Sequence, residues 1–409
     1  MKKSFDTRSI HTTYPKQDAY NSLQMPVYET NAFEFETAEA MADAFVGKSA
    51  EHTYSRITNP TVSYLEKRVL EMTDAFSVTA LNSGMAAISN VFMTIAYTGA
   101  NIVTSPNLFG NTYSIFASTL KAFGVEVRFC DLTNLDEVAG ALDENTCAVY
   151  LEIITNPQME VANLKHLSAL AHSKQIPLIA DTTIIPFCAF KAKDFGVNIE
   201  IVSSTKYISG GATSLGGLIL DYASFDWSKS KRLSDFSSQF GPAAFTAKLR
   251  KEIHRNLGAY MTPHTAQAQL LGLETLSLRF KKASENCLSL AKELKKLPQI
   301  KEVNYTGLED NRYYTLSKTQ FGELPGAMLT FNLVSKEACF TFLNKLKLIR
   351  RATNLFDNKS LIIHPASTIY GNFSEEIRQQ MRVVDNMVRL SVGIEEVDDL
   401  LADIKQALI

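Results

Sequence analysis

The stretch Ile199-Glu200-Ile201-Val202-Ser203-Ser204-Thr205-Lys206 decides the fold. An apolar run of strand length breaks off into small hydroxyl residues and one lysine. Gly210-Gly211 and Gly216-Gly217 follow. Short continuous runs of Val, Ile and Leu suit strands covered on both faces. Upstream, Leu178-Ile179-Ala180-Asp181 ends in the same way on an acid. In an open parallel α/β sheet, ligands bind beyond the carboxyl ends of the strands. Lys206 and Asp181 are therefore expected on one rim of such a sheet.

Similar runs recur at Ser77–Asn82, Asn101–Ser105, Glu126–Cys130, Ala148–Ile153 and Gly217–Leu220. Helical segments such as Met85–Thr98, Tyr113–Phe123 and Asn163–Lys174 lie between the earlier ones. This alternation predicts an α/β fold built on a mostly parallel, seven-stranded sheet. The first 58 or so residues are polar with irregular hydrophobic spacing, and read as an extended arm with one helix at Ala38–Phe45. A long helical stretch is expected from Ala244 past Leu271–Leu297. It is followed by a strand at Met328–Leu333, a helix at Lys336–Leu346, a strand at Leu361–His364 and two terminal helices. The expected organisation is an arm over 1–59, a large domain over 60–245 and a smaller α+β domain over 246–409.

The 409 residues are 45% hydrophobic and include 24 Phe and 15 Tyr, enough for a large core and incompatible with disorder. A net charge of -2 gives no electrostatic reason to expect nucleic acid or an anionic membrane as partner. The sequence has no apolar run of about 18 residues for a spanning helix. Met1-Lys2-Lys3-Ser4-Phe5-Asp6 lacks the apolar core of a signal peptide. Cys130, Cys147, Cys188, Cys287 and Cys339 are odd in number, widely spaced and free of Cys-x-x-Cys pairs, which suits reduced thiols. A cytoplasmic location is expected, and no metal.

A lysine held at a strand end forms a Schiff base with an aldehyde cofactor. A nearby carboxylate keeps a pyridinium nitrogen protonated, and the pair is what pyridoxal phosphate requires. Each residue alone also has an ordinary reading: a solvated lysine, and an aspartate that caps a helix or forms a turn. A second motif favours the cofactor. Asn82-Ser83-Gly84-Met85-Ala86-Ala87 follows a strand and opens a helix, where free amides attract phosphate and small residues admit it. Neither a P-loop nor a dinucleotide fingerprint is present.

Together with Tyr54-Ser55-Arg56-Ile57-Thr58-Asn59-Pro60-Thr61, Asn156-Pro157, Asp181-Thr182-Thr183 and Arg389-Leu390-Ser391-Val392-Gly393-Ile394-Glu395, these motifs resemble the Cys/Met metabolism class of fold-type I pyridoxal-phosphate enzymes. The resemblance runs from His11 to the C-terminus. It implies a fold-type I transferase with Lys206 carrying the cofactor and Asp181 on the pyridine nitrogen. It implies Ser83, Gly84, Met85, Ser203 and Thr205 around the phosphate, and Asn156 near the ring oxygen. Tyr54 and Arg56 would reach the phosphate of a neighbouring subunit in a dimer of dimers, a tetramer. Arg389 would grip the substrate α-carboxylate, with Asn354 in the substrate pocket.

Gly272-Leu273-Glu274-Thr275-Leu276, Phe225-Asp226-Trp227 and Asn354-Leu355-Phe356-Asp357-Asn358-Lys359-Ser360-Leu361 are similar to the O-acetylhomoserine sulfhydrylase branch. That branch implies replacement of acetate at Cγ of O-acetyl-L-homoserine by sulfide or a small thiol. Cystathionine synthesis and γ-elimination are same-family alternatives. An aminotransferase, or a binding protein on the same fold, lies further away. Four positions depart from the family pattern, one of them Phe356, where a glycine is common. Phe109 stands where a stacking tyrosine is usual, keeping the ring and losing the phenol. Gly211 stands where a histidine is common, and Thr182 where an asparagine is.

Overall fold

The computed structural model describes residues 3–12, 18 and 20–409. Seven strands form the first sheet: β1 Ser77–Leu81, β2 Asn101–Thr104, β3 Glu126–Phe129, β4 Thr146–Glu152, β5 Leu178–Asp181, β6 Ile199–Val202 and β7 Gly217–Asp221. Their order is β1-β7-β6-β5-β4-β2-β3. Pairing is parallel along β5, β4, β2 and β3, and antiparallel where β1 meets β7. Every residue of β2, β6 and β7 is buried. That is why these strands read as continuous apolar runs. The exception inside β6 is Glu200, fully buried, which accepts a hydrogen bond from the Thr182 hydroxyl.

Contacts divide the chain into two groups. One comprises residues 1–97, 201–209 and 213–274, the other residues 98–200, 210–212 and 275–409. The division into arm, large domain and small domain follows chain order, a different criterion, and stands as a proposal.

In the first group, helix Pro60–Thr73 starts where Asn59 accepts a hydrogen bond from the Thr61 amide and Pro60 presets the first turn. The helix at Ala38–Phe45 lies where the sequence places it. A further short helix at Phe5–Ile10 was not foreseen in the arm. The long helix expected from Ala244 is broken. Helical turns run to Leu257, Gly258 takes φ +68°, and a new helix starts at Pro263–Glu274, followed by Leu276–Leu294. Glycine in the left-handed region ends a helix without steric penalty, and proline starts the next.

In the second group, a five-stranded sheet joins β8 Glu302–Asn304, β9 Met328–Asn332, β10 Arg350–Arg351, β11 Leu361–Ile363 and β12 Met387–Ser391 in the order β10-β11-β12-β9-β8. Strand β12 lies between the two terminal helices, Glu375–Gln380 and Val397–Ala407. The five cysteines are free. Among the described residues, no helix is long and apolar enough to cross a membrane.

Candidate active site

Strand β6 delivers Ser203, Thr205 and Lys206 at its carboxyl end, where the backbone turns back: the Lys206 amide donates to the Ser203 carbonyl at 3.1 Å. Two glycines let this turn meet the start of helix Gly84–Ile95. A Cβ on Gly84 would sit 2.7 Å from the Ser203 Cβ, and one on Gly217 would sit 2.1 Å from the Ser83 carbonyl oxygen. Ser83 caps the helix by accepting from the Ala86 amide at 3.1 Å. The helix is 12 residues long, and its positive N-terminal end, with Gly84 and Met85 in the first turn, favours an anion. The Thr205 hydroxyl donates to the Gly216 carbonyl at 3.1 Å and accepts from the Gly216 amide at 3.0 Å. Its proton is thus directed into the loop. Substitution Gly217→Ala forces a methyl into rigid backbone. It is expected to lower stability by about 1–3 kcal/mol and to weaken phosphate binding; a wild-type melting temperature would contradict this.

Tyr54 and Arg56 lie in the same contact group. Tyr54 is exposed, and the Arg56 guanidinium carbon sits 5.5 Å from the centre of its ring. Arg56 also donates to the Arg255 carbonyl at 2.5 Å. Beside it, burial pushes the His254 imidazole down to about 4, with Arg250 and Arg56 adding to the effect. A depressed histidine contributes its full stability above its unfolded value near 6.5 and loses it as pH falls from there toward 4. His254→Gln is expected to flatten the melting-temperature curve over that window, an effect of up to roughly 3 kcal/mol. Equal acid slopes in the two proteins would contradict this.

The second contact group gathers the remaining residues. Asp181 ends β5, and its carboxylate accepts the Thr183 amide at 2.9 Å. In register with it, Glu152 ends β4. Burial, reinforced by Asp181, pushes the Glu152 carboxyl up to about 8. Its Oε1 accepts the Phe109 amide at 2.6 Å. Phe109 opens a short helix, Gly110–Ser114. Tyr113, the nearest phenol along the chain, stacks on Phe129 at 4.9 Å and meets Phe373 edge-on, so it belongs to a packed aromatic cluster.

Arg389 in β12 is 2% exposed, with burial pulling its guanidinium down to about 10, still charged at neutral pH. It donates to Asn156 Oδ1 at 3.2 Å and to the Thr353 and Asn354 carbonyls at 3.3 and 3.5 Å. Its Nε has no hydrogen-bond partner. Among the described residues no carboxylate pairs with it, which removes the plain alternative of a structural ion pair. A buried cation facing only neutral oxygens is suited to take an anionic ligand. Asn354 donates to Asp357 at 3.3 Å. Phe356 adopts φ +54°, and its amide donates to the Ser391 hydroxyl at 2.7 Å.

Sequence reasoning overlooked Glu152 and Tyr370. An acid inside the otherwise apolar run Ala148-Val149-Tyr150-Leu151-Glu152-Ile153-Ile154 was a usable signal. Tyr370 lies in irregular chain and gave none.

Within the first group, a cradle that admits no Cβ, a helix N-terminus and a lysine at a strand end suit the phosphate and aldehyde of pyridoxal phosphate; within the second, Asp181 at a strand end is an acid of the kind its ring nitrogen needs. The family model for Cys/Met metabolism PLP-dependent enzymes matches residues 6–409. The O-acetylhomoserine sulfhydrylase structure from Wolinella succinogenes is 46% identical, with a TM-score of 0.79, covering 87% of this chain and 99% of that one. A Campylobacter jejuni protein proposed as an O-acetylhomoserine (thiol)-lyase, carrying a pyridoxyl-lysine phosphate, has a TM-score of 0.92 at 32% identity, covering 99% of both chains. O-acetyl-L-homoserine sulfhydrylase 1 of Thermus thermophilus is 37% identical over 99% of both chains.

Proposed function

Because the chain belongs to the Cys/Met metabolism family of PLP-dependent enzymes, we propose that it replaces the acetate of O-acetyl-L-homoserine with sulfide or a small thiol. The carrying observation is a buried, acid-free Arg389, in a chain whose sulfhydrylase relatives match it end to end. When bound, pyridoxal phosphate supplies an electron sink beside the substrate amine. Lys206 would hold the cofactor through its Nζ, and the same Nζ would take the substrate's Cα proton and later return one. Asp181 keeps the ring nitrogen protonated. Ser83, Gly84, Met85, Ser203 and Thr205 hold the phosphate. Arg389 holds the α-carboxylate, a task suited to a forked guanidinium, with Asn156 and Asn354 beside it. A Cβ proton leaves and the Cγ–O bond breaks to release acetate; the thiol or sulfide then gives up its proton as the Cγ–S bond forms, and a proton returns to Cβ. Phe109 covers the ring face but has no proton to give, so the acetate departs without help from a phenol at that position.

Two copies completing each other's sites with Tyr54 and Arg56, and pairing again into a tetramer, agree with the exposed apolar side chains Leu23, Met41, Phe45 and Val46. Incubating the cofactor-loaded protein with O-acetylhomoserine and equal sulfide and cysteine tests the reaction. Homocysteine as main product is expected. Mainly cystathionine, or a 2-oxo acid with ammonia, would overturn the proposal.

A further inference from the structure

Two side chains outside the roles above hold one peptide group from opposite edges. The peptide group joining Leu108 to Phe109 gives its N–H to Glu152 Oε1 at 2.6 Å. Its carbonyl accepts from the Tyr370 hydroxyl at 2.9 Å. Asn156 is tied to the same hydroxyl: its carbonyl accepts from Tyr370 at 2.8 Å. One carboxylate therefore holds the Phe109 amide, and one hydroxyl proton is shared between the Leu108 and Asn156 carbonyls.

The surroundings make this clamp stiff. Tyr370 is fully buried in a cluster with Ala366, Met381 and Val383, and its own amide is tied to the Pro365 carbonyl at 3.1 Å. Gly110 lies so close to the Ile369 carbonyl that a Cβ would approach it to 2.8 Å. Phe109 has no polar atom on its ring, so only its backbone can be fixed by hydrogen bonds. The side-chain oxygen of Asn156 is already engaged by Arg389.

We propose that Glu152 and Tyr370 are a positioning pair that sets the Phe109 ring and Asn156 for the cofactor and, through Asn156, aims Arg389 at the substrate carboxylate. The inference rests on the cofactor reading given above.

Tyr370→Phe removes only the hydroxyl, and Glu152→Met removes the acceptor oxygens at similar side-chain length. Each variant is compared with the wild-type holoenzyme by visible circular dichroism, cofactor affinity, kcat and KM, and by amide exchange in the cofactor-free protein. Each is expected to weaken cofactor binding roughly tenfold, the size of a lost buried hydrogen bond, and to reduce the visible dichroism. Exchange at Phe109 should accelerate, and the double variant should be little worse than either single one because the pair acts as a unit. Exchange is read without cofactor, so a wild type that takes up no pyridoxal phosphate would sink the cofactor reading while this arm still judges the clamp. Unchanged exchange would overturn the clamp. Faster exchange with wild-type dichroism and affinity would make the pair merely structural and overturn the positioning role.

Discussion

Lys206→Ala is expected to abolish turnover and the visible absorbance of lysine-bound cofactor together. The two losses share a cause. In the proposed mechanism Lys206 Nζ both bonds the cofactor and moves the Cα proton. A positioned acid–base group contributes about a hundredfold to ten-thousandfold, and here it also anchors the reactive group, so a fall of at least about a thousandfold is expected. The fold should survive. The Lys206 backbone is held by the Ser203 carbonyl, and the adjoining turn by Thr205 and Gly216. A variant that melts like wild type, stays colourless with cofactor and turns nothing over meets the expectation. Retained turnover would remove Lys206 from the mechanism.

Arg389→Met has the second largest expected effect, and it separates binding from stability. A charged hydrogen bond contributes about 1.5–3 kcal/mol. Losing the grip on the α-carboxylate is therefore expected to lower kcat/KM about 10- to 100-fold, mainly through KM. A buried arginine with an unpaired Nε and no acid beside it is an uncompensated charge in the empty protein. An unbranched apolar side chain of similar length is expected to leave the melting temperature unchanged or raise it. Steady-state kinetics on the amino-acid substrate and a melting curve decide this. A collapse in stability with unchanged KM would show Arg389 to be structural.

The sheet was legible in the sequence because its strands are buried on both faces. Runs such as Leu178-Ile179-Ala180 carry the apolar signal without interruption, and the strand ends came out within about two residues. The second sheet was harder. Strand β12 contains Arg389 and Ser391, whose burial is set by tertiary partners. The break at Gly258 was visible as a glycine, but the leucines from Leu271 onward carried the helical reading across it. Residue types at strand ends pointed to Lys206 and Asp181. Glu152 and Tyr370 act on backbone groups far along the chain, and that pairing exists only once β4 and the segment after Ile363 are folded. Phe356 shows a related limit: only the glycine usual there in the family, and nothing in the local pattern, points to its φ of +54°.

The most direct measurement reduces the cofactor-loaded protein with borohydride, which fixes a lysine-bound aldehyde as a stable amine, and maps the modified peptide by mass spectrometry. One pyridoxyl phosphate group on the peptide containing Ser203-Ser204-Thr205-Lys206, placed on Lys206, is the expected result. A label on another lysine, or none on a protein that still converts O-acetylhomoserine, would contradict it.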